Sequence, residues 1–244
     1  MKSRIIATAL LLLFFSGATM ADTAYQPFVL ASVNDNGLEE QVEATVESLE
    51  AAGFAIAGQY SPIDGSVVIV ATNETLKKAA AASDRGGYAA GQRISVTERD
   101  GKTEVAFINP LYIQYAYRLD ADLQSVLDSL GDALGNQESY GAEKEMTAKK
   151  LGKYNYMMGM QKFDDPSELG SFNSFEDAVA AVEAGLAREG DALSQVYRID
   201  IPGKDQAVFG VGMKATSSDE DEKDIDAAFQ MSIVDFEGPA KVAY

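Results

Sequence analysis

The sequence predicts an α+β protein with a mixed or mostly antiparallel sheet backed by helices, arranged as two βαββ-type halves. Three observations carry this. Apolar runs of strand length (QPFVLASV, SVVIVAT, RISVTE, TEVAFI) are separated by turns rich in Asn, Asp, Gly and Pro. Amphipathic stretches of helical period lie among them and end in glycine. The order strand, helix ending in Gly, hairpin occurs twice, once from Gln26 and again from Lys153.

Residues 26–33 read as a strand closed by Asn34-Asp35-Asn36-Gly37. Leu38, Val42, Val46 and Leu49 then recur at helical spacing, with Glu39, Glu40, Glu43, Glu47 and Glu50 between them and Gly53 beyond. The result is one helix with an acidic outer face. Residues 54–60 and 66–72 form two strands joined at Pro62-Ile63-Asp64-Gly65, and a short Ala-rich helix covers 74–82. After a loop over 83–91, Arg99-Asp100-Gly101 joins two strands as a hairpin. Asn109-Pro110 starts a short helix, Asn as cap and Pro in the first turn. Asp120 opens a second, with Leu123, Val126, Leu127, Leu130 and Leu134 on one face and Gly135 past its end.

Residues 136–150 are poor in apolar residues and read as a connector, so the domains divide as 22–135 and 151–244. The second half opens with a strand over 154–163, a loop through Asp164-Asp165-Pro166, and a helix over about 175–189 capped by Ser174 with Gly190 beyond. Strands follow at 194–201 and 207–213, joined by Pro202-Gly203-Lys204-Asp205. An acidic run at 219–226, the apolar FQMSIV and a last strand from Val242 complete the chain.

Ahead of all this, Lys2 and Arg4 precede an apolar run over 5–15 and the small residues Ser16, Gly17, Ala18, Thr19 and Ala21. Residues 1–21 thus read as a secretory signal peptide cut before Asp22, and the apolar run is roughly half the ~20 residues a membrane span needs. No Cys follows the cut to take a lipid, and charged residues interrupt every later apolar run, so no stable membrane insertion is expected after cleavage. The expected location is the periplasm.

Composition narrows the chemistry. The 244 residues hold 20 Lys+Arg against 38 Asp+Glu, a formal charge of -18, with no His and no Cys. Loss of Lys2 and Arg4 makes the exported chain more acidic still. The absence of His removes Ser-His-Asp and Cys-His catalysis and His-ligated metals; the absence of Cys leaves stability to packing alone. The acidic balance opposes binding to phosphate backbones, so no nucleic acid is expected as a partner. No cofactor is implied.

Two stretches, SVVIVATNETLKKAAAAS and RISVTERDGKTEVAFINPLYIQYAY with its helix to Leu134, resemble the bacterial family catalogued as domain of unknown function three hundred and two. The resemblance spans residues 26–134. It rests on the helix-Gly-strand opening, an apolar strand entering a short helix, and the run of strand, acidic-Asp-Gly turn, strand and Asn/Asp-Pro-x-Tyr. It implies an α+β fold and a possible homodimer, and it supplies no catalytic residue. VVIVATN stands where the family pattern has a Gly- and Pro-containing turn.

The sharpest candidate ligand site is Tyr112, Gln114, Tyr115, Tyr117 and Arg118, just past Asn109-Pro110. Phenols beside a guanidinium can grip a carboxylate or stack on a flat ligand; equally, the tyrosines can cover one end of the sheet with their hydroxyls in water. Tyr154, Tyr156, Met158 and Met160 alternate as on one strand face, which suits core packing or, through thioethers, Cu(I). The run Asp219, Glu220, Asp221, Glu222, Asp224, Asp226 is a solvated loop or a Ca2+ collector without EF-hand spacing. Gly210, Gly212 and Ala215 spell G-x-G-x-x-A but lie too near the C-terminus for a dinucleotide unit, and close packing explains the glycines.

The function these features favour is that of an exported, soluble, non-enzymatic binding or sensory protein, with a small molecule or an envelope protein as partner. The alternatives are a structural protein that dimerises or docks an envelope complex, and an enzyme that works with carboxylates or Tyr/Lys.

Overall fold

In a computed structural model, which describes residues 23–155, 157–160, 162, 165, 167–188, 193–213, 227–234 and 240–243, the strands form two antiparallel sheets of related topology and one small ribbon. The first unit comprises β1 (Ala24–Tyr25), β2 (Phe28–Asn34), α1 (Leu38–Ala51), β3 (Ala55–Tyr60), β4 (Ser66–Thr72), α2 (Glu74–Ala82), β5 (Gln92–Arg99), β6 (Lys102–Ile108), α3 (Pro110–Ala116), α4 (Gln124–Leu134) and β7 (Glu138–Tyr140). Its six-stranded sheet runs β3-β4-β5-β6-β2-β7. After β8 (Met146–Thr147) and α5 (Ala148–Leu151) comes the second unit: β9 (Glu168–Phe172), α6 (Phe175–Leu186), β10 (Leu193–Asp200), β11 (Gln206–Met213), β12 (Ala227–Val234) and β13 (Ala240–Ala243). Its five-stranded sheet runs β10-β11-β12-β13-β9. The fold is α+β. Setting β7 aside, the two strand orders correspond one to one: in each unit the first strand enters a helix, and four antiparallel strands then return to pair with it.

Local chemistry explains most boundaries. Asn73, Asn109 and Ser174 cap α2, α3 and α6 with their side chains, satisfying backbone N–H groups the first turn leaves orphaned. The turn between β5 and β6 pairs Arg99 with Lys102 across Asp100 (φ 51°) and Gly101 (φ 76°). Both central residues are left-handed, the backbone a two-residue hairpin needs to match strand twist. Helix α4 begins at Gln124 and not at Asp120: the Asp120 N–H donates to Ser83 Oγ (2.8 Å), Asp122 Oδ1 accepts the Gln124 N–H (2.9 Å), and the helical ladder starts with the Leu127 N–H on the Leu123 carbonyl (3.1 Å).

Helix α1 buries Gln41, Thr45 and Leu49, while Leu38, Val42 and Val46 are only partly covered. The two polar groups are satisfied: Thr45 donates to the Gln41 carbonyl (2.7 Å) and Gln41 Nε2 donates to Thr45 Oγ1 (3.3 Å). In α6 the buried residues Ala178, Val182 and Leu186 stand at the same spacing from the first helical residue as Gln41, Thr45 and Leu49 do in α1.

Two expectations are corrected. The strand expected over 154–163 is a turn through its described residues 157–160, and the strand that opens the second unit is β9, downstream. Gly159 is left-handed (φ 89°), and Asn155 Nδ2 donates to the Met160 carbonyl (2.8 Å), closing the chain on itself. Met157, Met158 and Met160 are consequently exposed, Met158 completely, and form no core. Alternation of apolar residues marks a strand only where a sheet edge is available to pair with it. Residues 136–150, expected as a connector, contain β7, which extends the first sheet beside β2, and β8, which pairs with β1. The signal-peptide stretch, the acidic run at 219–226 and Ala215 lie outside the described residues.

Three apolar clusters hold the molecule. One lies between the first sheet and α1 and α4, and a second between α6 and the second sheet. The third joins the units: Val70, Ala80 and Ala90 of the first pack against Tyr197, Ile199, Ile201 and Val208 of the second. Here the edge strands β3 and β10 meet, so closely that a Cβ on Gly58 would lie 2.2 Å from the Val196 carbonyl oxygen. No described helix is long and apolar enough to cross a membrane.

Candidate functional site

The chain folds the ends of α2 and α3 onto one another. Ser83, just past α2, donates from its hydroxyl to the Ala79 carbonyl (3.1 Å) and accepts the Asp120 N–H (2.8 Å). This clasp brings residues 82–85 beside residues 117–120. Between them lies a polar cleft of about 740 Å³ lined by Ser83, Asp84, Arg85, Tyr117, Arg118 and Asp120.

Both arginines have left-handed backbones, Arg85 at φ 55° and Arg118 at φ 53°. Among the described residues the only other non-glycine with positive φ is Asp100, in the hairpin turn. Arg118 follows α3 as the residue after its cap. The Leu119 N–H donates to the Gln114 carbonyl (2.9 Å) and the Arg118 N–H to the Tyr115 carbonyl (3.4 Å). That is the Schellman pattern, in which glycine usually takes the left-handed position. Arg85 takes the equivalent strain at the start of the single 3-10 turn Gly86–Ala89. Left-handed backbone costs a side-chain-bearing residue roughly 1–2 kcal/mol, and such strain gathers at functional sites.

Tyr117 is the tyrosine of the lining. Tyr117 stacks on Tyr88 with ring centroids 6.0 Å apart and planes 21° apart. Tyr88 is buried and its hydroxyl has no hydrogen-bond partner. Burial, with a smaller push from Tyr117 and an opposing pull from Arg85, drives its phenol up to about 12. Two further charged groups of the second unit reach the rim: Asp165 lies 3.9 Å from Arg85, and Lys204 Nζ donates to the Ser83 carbonyl (3.3 Å).

Of the residues singled out from sequence, the cleft gathers Tyr117 and Arg118 and leaves the other three elsewhere. Gln114 is buried and structural, its Oε1 accepting the Leu123 N–H (2.8 Å) and so joining α3 to the start of α4. Tyr115 faces Tyr25, at 5.0 Å between ring centroids; the Tyr25 hydroxyl donates to Tyr115 (3.5 Å), and this bond together with burial pushes the Tyr25 phenol up to about 12. Tyr112 lies beside Tyr154, and burial raises its phenol. Arg85 was not singled out; its place in SDRGGYAAG carries no periodic signal, and only the clasp through Ser83 brings it to Arg118. Among the described residues no group of three or more His, Cys, Asp or Glu is placed to hold a metal.

A second concavity of about 240 Å³ lies on the face of the first sheet that carries no helix, where Tyr60, Val68, Arg93, Ser95, Ala106 and Phe28 converge. Phe28 and Tyr140 are both exposed there and their rings lie 5.7 Å apart.

Chemically, the first cleft offers two guanidiniums, whose planar forks match a carboxylate bidentately, and the Tyr117 ring, backed by the buried Tyr88, as its aromatic lining. Asp84 and Asp120 also line it and suit an ammonium or hydroxyl on the same ligand. No family model, no curated protein and no solved structure matches this chain.

Proposed function

We propose that the protein is an exported, soluble, non-enzymatic binding protein of the periplasm whose ligand is a small carboxylate seated in the Arg85–Arg118 cleft. One observation carries the reading: among the described residues, outside a hairpin turn, the two non-glycine residues with left-handed backbone are both arginines, and both line this cleft. Strain of that kind persists when a function needs the side chain. The location follows from the n-region, apolar run and small residues of 1–21. The same proposal places residues 26–134 with the family of unknown function named above, supported by the helix-Gly-strand opening, the Asp-Gly hairpin and Asn109-Pro110-x-Tyr112 on successive elements.

The test is thermal denaturation of the purified protein with millimolar succinate, benzoate and free amino acids. A ligand at a hundred times its Kd stabilises by about 2.7 kcal/mol, which registers as a clear rise in Tm. A carboxylate is expected to give that rise, and Arg85→Ala and Arg118→Ala to abolish it. No shift with any carboxylate, or a shift unchanged in both variants, refutes the reading.

A second reading, an interaction protein or homodimer, is favoured by the exposed Phe28 and Tyr140 on the helix-free face of the first sheet. It predicts a dimer mass in solution that Phe28→Lys reduces to the monomer.

A further inference from the structure

The internal repeat allows one unit to be compared with the other, element by element. In the first unit α4 lies against α1 and β2, and its Val126 and Leu130, with Leu123 just before it, are buried in one cluster with Val29, Ala31 and Leu49. In the second unit α6 corresponds to α1, β9 to β2 and β13 to β6, by strand order and by the matched spacing of the buried helix residues. Among the described residues no helix lies on α6 and β9 as α4 lies on α1 and β2. At that place there is instead an apolar groove of about 410 Å³, lined by Leu169, Phe172, Val182, Leu186, Leu193 and Val242.

The groove has the features of an unfilled helix seat. Leu169 is 55% exposed, an unusual position for a leucine beside an apolar cluster. Of the four α6 residues along its wall, Ala181 and Gly185 are small enough for a second helix to come close. Its one charged lining residue is Arg188, just past the C-terminal end of α6. The helix that fills the matching place in the first unit carries Asp128 and Asp132 on its exposed flank.

We infer that this groove is a docking site for an amphipathic helix of a partner protein, with the apolar spacing of α4 and an acidic flank that meets Arg188. The recognition is that of a helix laid in a groove, anchored by apolar residues at i, i+3, i+4 and i+7. It is independent of the carboxylate cleft, which lies in the first unit.

The experiment uses the whole purified protein and a fluorescent peptide that copies residues 120–136 of this chain. Alone, a peptide of that length is a marginal helix in water. Saturable binding is expected, with helicity rising on binding. Two variants test the place. Leu169→Asp puts a charge at an exposed position, and Gly185→Leu fills the groove where a Cβ meets nothing within 4 Å. Neither disturbs a buried contact, and each is expected to weaken the peptide at least tenfold. A peptide with Asp at the positions of Val126 and Leu130 is expected not to bind. Absence of binding overturns the inference. So does binding indifferent to Leu169→Asp and Gly185→Leu, the result expected if the peptide merely displaced α4 from its own seat. A dimer mass that Leu169→Asp reduces to the monomer also overturns it, by giving the groove to a second copy of the chain.

Discussion

Arg118 holds the left-handed position after α3 that glycine usually occupies, so its backbone works against the fold while its side chain serves the cleft. Replacing it by Gly removes that strain. Arg118→Gly is therefore expected to raise stability by about 1 kcal/mol in denaturant titration while losing carboxylate binding. A fall in stability would mean that the guanidinium's contacts outweigh the backbone cost. Tyr88 presents the opposite case, a side chain that fits except for one atom. Its hydroxyl is buried without a partner, so Tyr88→Phe is expected to leave stability unchanged or raise it by about 1 kcal/mol, measured the same way. Of this residue-level detail little is legible in the sequence. Arg118 stands out beside three tyrosines, but nothing in its neighbours announces positive φ, because that follows from Leu119 turning back to cap α3.

Elements were legible where their chemistry is local. The caps at Asn73, Asn109 and Ser174, the Asp100-Gly101 turn and the helix-ending Gly53 act within a few residues, and each predicted boundary they govern lies close to the observed one. Elements that depend on a neighbour were not. β9 (ELGSF) has Gly170 and Ser171 at its centre and exists because β13 offers Lys241 and Val242 to pair with them. The methionine stretch before it has the better strand pattern, and its described residues pair with no strand. Within β11, Gly210 has a role that only its cross-strand neighbour reveals. It pairs with Tyr197, whose ring lies where a Cβ would be, 2.0 Å from Cε1. Gly210→Ala is expected to cost about 1–3 kcal/mol, because the ring must leave its rotamer or the strands must part. Denaturant unfolding measures it, and a loss below about 0.5 kcal/mol would show that the ring is free to swing away.

Over the whole molecule, two sheets with separate cores meet through one apolar cluster and the contact of β3 with β10, with Arg85–Asp165 and Lys204–Ser83 at the rim of the cleft. Calorimetry of the wild type is expected to give one transition, and Gly58→Asp, which forces a side chain against the Val196 carbonyl, to split it in two. A single transition in the variant would place the coupling elsewhere. Alkaline pH acts on the whole molecule as well. Tyr25 and Tyr88 both hold their protons up to about 12, against an ordinary phenol near 10. Between those values the unfolded chain loses protons that the folded chain keeps, so stability is intact below about pH 10 and falls as pH rises toward 12. Urea midpoints across that range test this, and Tyr88→Phe is expected to reduce the loss.

By itself the sequence determined the α+β class, the main helices and the hairpin strands between them, the local turns that bound them, and the shortage of bases behind a formal charge of -18. All of these depend on local backbone preference, hydrophobic period or composition, which a linear chain displays directly. Only the tertiary structure decided that both halves close their sheets in one strand order, that Arg85 meets Arg118 across the Ser83 clasp, and that α4 has no counterpart on α6 among the described residues. Each of these joins residues far apart in the chain. Such contacts form where packing and hydrogen bonding repay the entropy of closing a long loop, and that balance is not written in any one stretch of sequence.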